Sequence, residues 1–189
     1  QTGLDYDVSN LAAVNFNSTF AGIETADTIL IVGSQIRWEA PLINVRLRKA
    51  VKNGAKVFVV GPEWETTYPA QFLGNDLSVL GKLPADVTEA FDKAERPAVI
   101  LGGAGLGKGA LAPLLALAGK YKLVRDGWNG FNVLHMAASR MGGLMLGYAQ
   151  KGGIKDVVAA QPKVVLALGA DEVDFSAFGG SLKVYIGHH

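Results

Sequence analysis

The sequence contains no cysteine. It therefore forms no disulfide, supplies no thiolate to an iron–sulfur cluster and offers no nucleophilic thiol, so thiol redox chemistry is excluded, an absence that fits a reducing compartment. An excess of charge of one sign is also missing. Lys plus Arg number 18 against 17 Asp plus Glu, a net charge of +1, and no basic run is dense enough to neutralise a series of phosphates, which excludes nucleic acid as a partner. Long hydrophobic runs are lacking too. The longest nearly apolar stretch, residues 109–119, is far shorter than the ~20 residues of a bilayer span, so no direct membrane insertion is expected. Charged residues are sparse, at 19%, but apolar residues reach 49%, enough for a buried core and too many for a disordered chain. There is no initiator Met and no charged-then-apolar leader, so the 189 residues read as a piece of a longer protein.

What is present begins with five aliphatic runs, each ending in glycine: residues 29–33, 57–61, 98–102, 164–169 and 184–187. They do not alternate polar and apolar positions. Continuous apolar runs predict strands buried on both faces, as in a parallel sheet covered by helices. The intervening sequence agrees. Ile43, Leu47, Ala50 and Val51 fall at helical spacing opposite Arg48, Lys49 and Lys52, with Pro41 suited to a first turn and Gly54 to a position past the end. Further helices are predicted over 86–95, 110–121, 132–146 and 154–160, and the first 20 residues read as an irregular segment. The fold class is α/β, with two Rossmann-like parallel-sheet units carrying helices on both faces. The first unit is placed at 1–85 and the second at 86–189, with the seam in 74–84.

In open parallel sheets ligands bind beyond the carboxyl ends of the strands, where the terminal glycines would let a ligand approach the backbone. Turn geometry alone also accounts for glycine there. The loop from Gly102 to Gly109 fits G-x-x-x-x-G-K between a strand and a helix, with Lys108 as its lysine, but Gly109 stands where a P-loop needs a Mg²⁺-binding hydroxyl. A G-x-G-x-x-G fingerprint fails as well, since its third glycine would fall on Lys108 or Ala110. Asp171, Glu172 and Asp174 suit the start of a short helix more than a metal or an acid/base pair. His135 has no metal-ligand spacing and reads as packed or half-buried, and Met136, Met141 and Met145 read as packing. Ser34, Ser139 and Ser176 lack a G-x-S-x-G setting, so no hydrolase triad is assigned. No catalytic residue and no metal ligand is proposed from the residues themselves.

The run from Ala26 to Pro41 (ADTILIVGSQIRWEAP), continuing through Arg46-Leu47-Arg48-Lys49-Ala50 to Gly54-Ala55-Lys56-Val57, resembles the molybdopterin oxidoreductase superfamily. Its form is that of the large iron–sulfur subunits of NADH:quinone oxidoreductases, respiratory complex I. Trp128 to His135, Leu146-Gly147-Tyr148, Leu168 to Glu172 and Val184 to His189 are similar to the same subunits in the same order. The resemblance implies the fold of domains II and III of pterin-dependent enzymes, and a scaffold region within the peripheral arm of such a complex. In pterin-binding relatives the first strand leads into a G-[ST]-N-P turn and the second into an Asp-Pro-Arg-like turn. Here Gly33-Ser34-Gln35-Ile36 and Gly61-Pro62-Glu63 stand instead. The implied pocket is vestigial, its positions being Gly33, Ser34, Gln35, Gly61, Glu63, Gly102, Lys108 and Gly169.

The resemblance further implies no cofactor in this stretch, with iron–sulfur clusters elsewhere in the parent subunit. Implied partners are the upstream iron–sulfur region of the same chain and other subunits of the peripheral arm. The implied location is peripheral, on the cytoplasmic side of a bacterial inner membrane or the matrix side of a mitochondrial one. Two other readings compete. One is a domain that still binds a nucleotide or molybdopterin dinucleotide at the glycine edge. The other is an enzyme with a site built from Arg37, Glu39, Asp171 or Glu172. Trp38 and Trp64 are expected to fill the strand-end cleft in part.

Overall fold

Ile29, Leu30, Ile31 and Val32 are completely buried, and that burial on both sides is the fact around which the chain is arranged. A computed structural model describes residues 9–148, 153–170 and 173–187. A 3₁₀ turn at Leu11–Ala13 precedes α1 (Thr19–Ile23), β1 (Thr28–Val32), α2 (Ile36–Glu39), α3 (Pro41–Lys52), β2 (Lys56–Val60) and β3 (Gln71–Phe72). A second 3₁₀ turn at Leu77–Gly81 leads to α4 (Ala85–Lys93), β4 (Pro97–Leu101), α5 (Gly103–Gly107) and α6 (Leu111–Lys120). Then come β5 (Val124–Arg125), β6 (Trp128–Asn129), β7 (Phe131–Val133), α7 (Arg140–Met145), α8 (Gly153–Ala159), β8 (Val164–Leu168), a 3₁₀ turn at Phe175–Phe178 and β9 (Leu182–Ile186).

Five strands form one sheet in the order β3-β2-β1-β4-β7, each neighbouring pair parallel. Successive side chains of a strand point to opposite faces, so each strand divides its residues between two cores. Leu30, Val32, Phe58, Val60, Val99 and Leu101 pack with α4 and α6 through Val87, Phe91, Leu114 and Leu117. Ile29, Ile31, Val57, Val59 and Ile100 pack with Ile36 of α2 and with α3 through Ile43, Leu47 and Ala50. Each large aliphatic side chain buried this way contributes about 1.5–3 kcal/mol. Pro41 does open α3, and Gly54 follows its end with φ of 101°.

Two expectations about where elements and units begin and end require correction. Residues 132–146 are not one helix: Phe131–Val133 is a strand beside β4, and only Arg140–Met145 is helical. The winning interaction is polar. Asn132 is fully buried, its Oδ1 accepts from the Ser18 N–H at 2.8 Å, and its Nδ2 lies within donating distance of Ser18 Oγ, Val99 O and Gly130 O. Leu134 then continues the ladder by donating to Leu101 O at 2.8 Å. The division at 85/86 does not follow the sheet either, because β1 and β4 on its two sides pair along their whole length. Residues 10–142 form one compact unit and the described residues from Gly143 onward belong to another.

In that second unit β8 and β9 pair in parallel through five residue pairs. Leu166, Leu168 and Leu182 are 63%, 69% and 62% exposed, against the expectation of burial on both faces. Among the described residues this sheet has two strands and no further element that covers those side chains. The sequence missed the β5–β6 hairpin, although its turn, Asp126-Gly127 with Gly127 at φ of 74°, carries the Asp-Gly signal for such a connection.

Asn132→Ala would leave several buried polar groups unpaired. The expected loss is about 2–4 kcal/mol of unfolding free energy, read from urea denaturation as a lower midpoint at unchanged slope.

Candidate functional site

The register of β1 with its neighbours sets the geometry. Val32 lies opposite Val60 of β2 and Leu101 of β4, so the three strands end level and Gly33, Gly61 and Gly102 follow side by side. Two bonds extend the ladder into the turns: the Gly33 N–H donates to Val60 O and the Gly102 N–H to Val32 O, both at 2.9 Å. Strand order reverses between β1 and β4, because β2 and β3 lie on one side of β1 while β4 and β7 lie on the other. That switch point is where an open α/β sheet offers its ligand crevice.

Here the chain's own backbone fills the space. Gly33 takes a left-handed φ of 61°, and a Cβ on it would lie 2.2 Å from the Gly105 N in α5. One on Gly102 would lie 2.4 Å from Gly33 O, and one on Gly105 would lie 3.0 Å from Val32 O. The glycines therefore serve close approach of one turn to another. The beginning of α5, where a phosphate loop would present free N–H groups, is covered by the turn after β1.

Two polar donors of that turn are also occupied. Ser34 is buried and donates its hydroxyl to Glu39 Oε2 at 2.7 Å, while the Gln35 N–H donates to Glu39 Oε1 at 3.0 Å. One carboxylate from the end of α2 thus reaches back over the first turn and satisfies both groups, much as a capping box does. Arg37 points to the next loop, pairing with Glu65 Oε2 at 2.8 Å and lying 5.0 Å from the centre of the Trp38 ring. Trp38 itself is 66% exposed and does not fill the cleft. Trp64 is half-buried, packing edge-on against Phe72 with ring centres 6.4 Å apart.

The structure thus brings together Gly33, Ser34, Gln35, Gly61 and Gly102. Glu63 is exposed in the loop after β2, and Lys108 is exposed at the end of α5. Gly169 lies in the second unit, at φ of 55° with open space around it. Arg37 and Glu39 have structural partners, and Asp171 and Glu172 lie outside the described residues. Asp174 does begin a short helix: its Oδ1 accepts from the Ser176 N–H at 2.9 Å and hydroxyl at 2.6 Å, which holds its carboxyl below the usual range. Sequence reading singled out Glu39 without its partner, although Glu four residues after a turn residue is the spacing at which a carboxylate returns to the start of a helix.

His135 follows β7, half-buried, with Nε2 2.6 Å from Val14 O. Burial is the chief cause that holds its imidazole below the usual value, and the nearby Arg140 acts in the same direction.

A family model described as molybdopterin oxidoreductase matches residues 2–189. The chain is 36% identical to a subunit of the NADH-quinone oxidoreductase of Rickettsia typhi, in an alignment covering 97% of this chain and 28% of that protein. It is 36% identical to the subunit of the same name from Rickettsia bellii over 92% of this chain and 26% of the relative. It is 34% identical to the mitochondrial NADH-ubiquinone oxidoreductase 78 kDa subunit of Neurospora crassa over 92% of this chain and 24% of the relative. The chain therefore spans about a quarter of the length of these relatives.

Gly33→Ala forces a Cβ into the Gly105 backbone at a left-handed φ, and a loss of about 3 kcal/mol is expected in urea unfolding. His135 gives a pH signature. The unfolded chain takes up its proton near pH 6.5 while the folded chain resists, so stability is full above that value and falls as pH drops below it. In His135→Gln the slope of the unfolding midpoint between pH 7 and 5 should be shallower than in the unsubstituted chain.

Proposed function

The chain belongs to the molybdopterin oxidoreductase family, and from that premise we propose that it is a non-catalytic scaffold region of the large iron–sulfur subunit of an NADH:quinone oxidoreductase. Its strand-end pocket is the vestige of a cofactor site. The observation that carries this reading is the double closure at the switch point: the turns after β1 and β4 touch backbone to backbone, and Glu39 takes the Ser34 and Gln35 donors. A pterin dinucleotide needs just such N–H and hydroxyl groups free and approachable. The residues at this edge of unit 10–142 do not fit that group, and no chemical step passes through it.

With no cysteine, the chain supplies no thiolate to a cluster, so the clusters belong to the remainder of the parent subunit. The work of the present region is to hold that cluster-bearing part in place and to present surface to neighbouring subunits. A sheet packed on both faces suits that task, because close-packed interiors transmit position with little compliance. The parent assembly lies peripherally at the cytoplasmic face of a bacterial membrane or the matrix face of a mitochondrial one. Among the described residues no helix is long and apolar enough to cross a membrane.

The rival reading, a domain that still takes a nucleotide or pterin dinucleotide, is separated by composition and by calorimetry. The purified intact parent subunit should contain no molybdenum, tungsten or extractable pterin near one equivalent. Titration of this chain with GDP or NADH should release no heat. A stoichiometric pterin, or saturable heat abolished by Gly33→Ala, overturns the scaffold reading.

A further inference from the structure

A second concave surface lies away from the strand ends. The 3₁₀ turn at Leu77–Gly81 packs against α6, and a groove of about 450 Å³ runs between them and Thr88 of α4. That size is within the range of small-molecule sites. Leu80 and Leu117, buried in the core that packs α4 and α6 on the sheet, also line the groove, with Leu83 and Pro113. On α6 the lining residues Pro113, Ala116, Leu117 and Lys120 fall at steps of three, one and three, a single face of the helix. Ala116 on that face and Gly81 on the turn are small and exposed, which keeps the groove open.

The charged groups of the groove have one sign. Lys82 and Lys120 both line it, both are exposed, and neither makes an ion pair among the described residues. Among those residues no Asp or Glu lines it; Asp92, one turn beyond Thr88 on α4, acts on Lys120 from outside the lining. Tyr121, which follows α6, also lines the groove. It is 7% exposed, its ring centre lies 5.1 Å from that of Phe91, and its hydroxyl is buried with no hydrogen-bond partner. Lys120 Nζ lies 4.7 Å from the centre of the same ring, and the phenol raises the ammonium above its usual pKa without a formed hydrogen bond between them. Buried hydroxyls are nearly always paired, and phenylalanine would fill the same space without an unpaired group. The dipole of α6 favours a cation in its last turn and so accounts for Lys120. It accounts neither for Lys82, which follows the 3₁₀ turn packed against α6, nor for the phenol. We propose that this groove binds a small amphipathic anion, a phosphate monoester or carboxylate on a short alkyl or aryl body. Its head lies between the ammonium groups of Lys82 and Lys120 and accepts a hydrogen bond from the Tyr121 hydroxyl. Its body lies along Leu83, Pro113 and Leu117. Inorganic phosphate lacks the apolar part, and a bilayer surface does not enter a groove of this size.

The groove shares no residue with the glycine edge, so this inference stands or falls independently of the scaffold reading. The experiment irradiates decyl phosphate carrying a diazirine in its chain with the full-length parent protein in its native assembly, and maps the labelled peptides by mass spectrometry. Label is expected within residues 80–88 and 113–121, with half-saturation below about 1 mM. Excess unlabelled decyl phosphate or decanoate should abolish it, whereas decanol, inorganic phosphate and phosphatidylglycerol vesicles should leave most of it. Lys82→Gln/Lys120→Gln should lower the yield roughly tenfold and Tyr121→Phe roughly threefold. Neither variant should lower the thermal midpoint by more than about 2 °C, because both lysines are exposed and the lost hydroxyl has no partner. Label confined to other segments, protection by decanol as strong as by decyl phosphate, protection by the vesicles, or a yield indifferent to the lysine pair or to Tyr121→Phe overturns the proposal. So does an absence of saturable labelling in the folded, assembled protein.

Discussion

The contact that closes the strand ends is between two stretches of main chain, the turn at Gly33 and the first residues of α5 at Gly105. It follows from register. Because β1 ends level with β2 on one side and β4 on the other, the residues after Val32, Val60 and Leu101 emerge in a row, and a side chain on any of them would point at a neighbour's backbone or at the next turn. The aliphatic composition of β1 and β4 is the same constraint seen from inside. A central strand covered on both faces has no position at which a polar side chain reaches water. The sheet, its two cores and the closed switch point are thus consequences of placing Thr28–Val32 in the middle.

Chemistry at the strand ends follows from what this closeness leaves over. An α/β sheet binds anions where N–H groups and hydroxyls converge without internal partners. In this chain such groups do converge, in Ser34 and Gln35 beside the glycines, but their partner is Glu39. Arg37, the cation nearest that turn in the sequence, is drawn to Glu65 and faces away from the switch point's donors. A negative side chain inside and a cation directed outside invert the arrangement that an anionic ligand needs.

Much of the architecture was legible because its elements obey one period at a time. The runs at 29–33, 57–61 and 98–102 are apolar without interruption, α3 and α4 have apolar stripes and α6 is apolar nearly throughout, so their limits fall within a residue or two of the structure. β7 was not legible. Leu134, Ala137, Ala138, Met141 and Leu144 mimic a helical stripe, while the strand before them is three residues long and carries a buried asparagine whose partner Ser18 lies 114 positions away. A linear order of strands and helices also leaves open which strands adjoin, so the pairing of β1 with β4 across residue 85 could not be read from it. At the site the glycine edge was visible as composition. Of the bonds that define it, Glu39 to Ser34 and Arg37 to Glu65, only Ser34, Arg37 and Glu39 were visible, as residues with chemistry and no assigned partner.

On the scaffold reading, a domain that has shed its ligand also draws no stability from one. A ligand held at a hundred times its dissociation constant adds about 2.7 kcal/mol to the folded state. On the scaffold reading that contribution must come from within the chain. Hydrogen bonds to a charged group are worth about 1.5–3 kcal/mol each before the cost of fixing the side chain. Glu39 makes two of them, to groups that would otherwise face the crevice. The gain has the right order to replace a lost ligand, and it needs no second molecule and no free concentration to be maintained. For a part whose task is to keep other parts at fixed separation, constant internal satisfaction of the turn is the more suitable device, because its geometry then does not depend on occupancy.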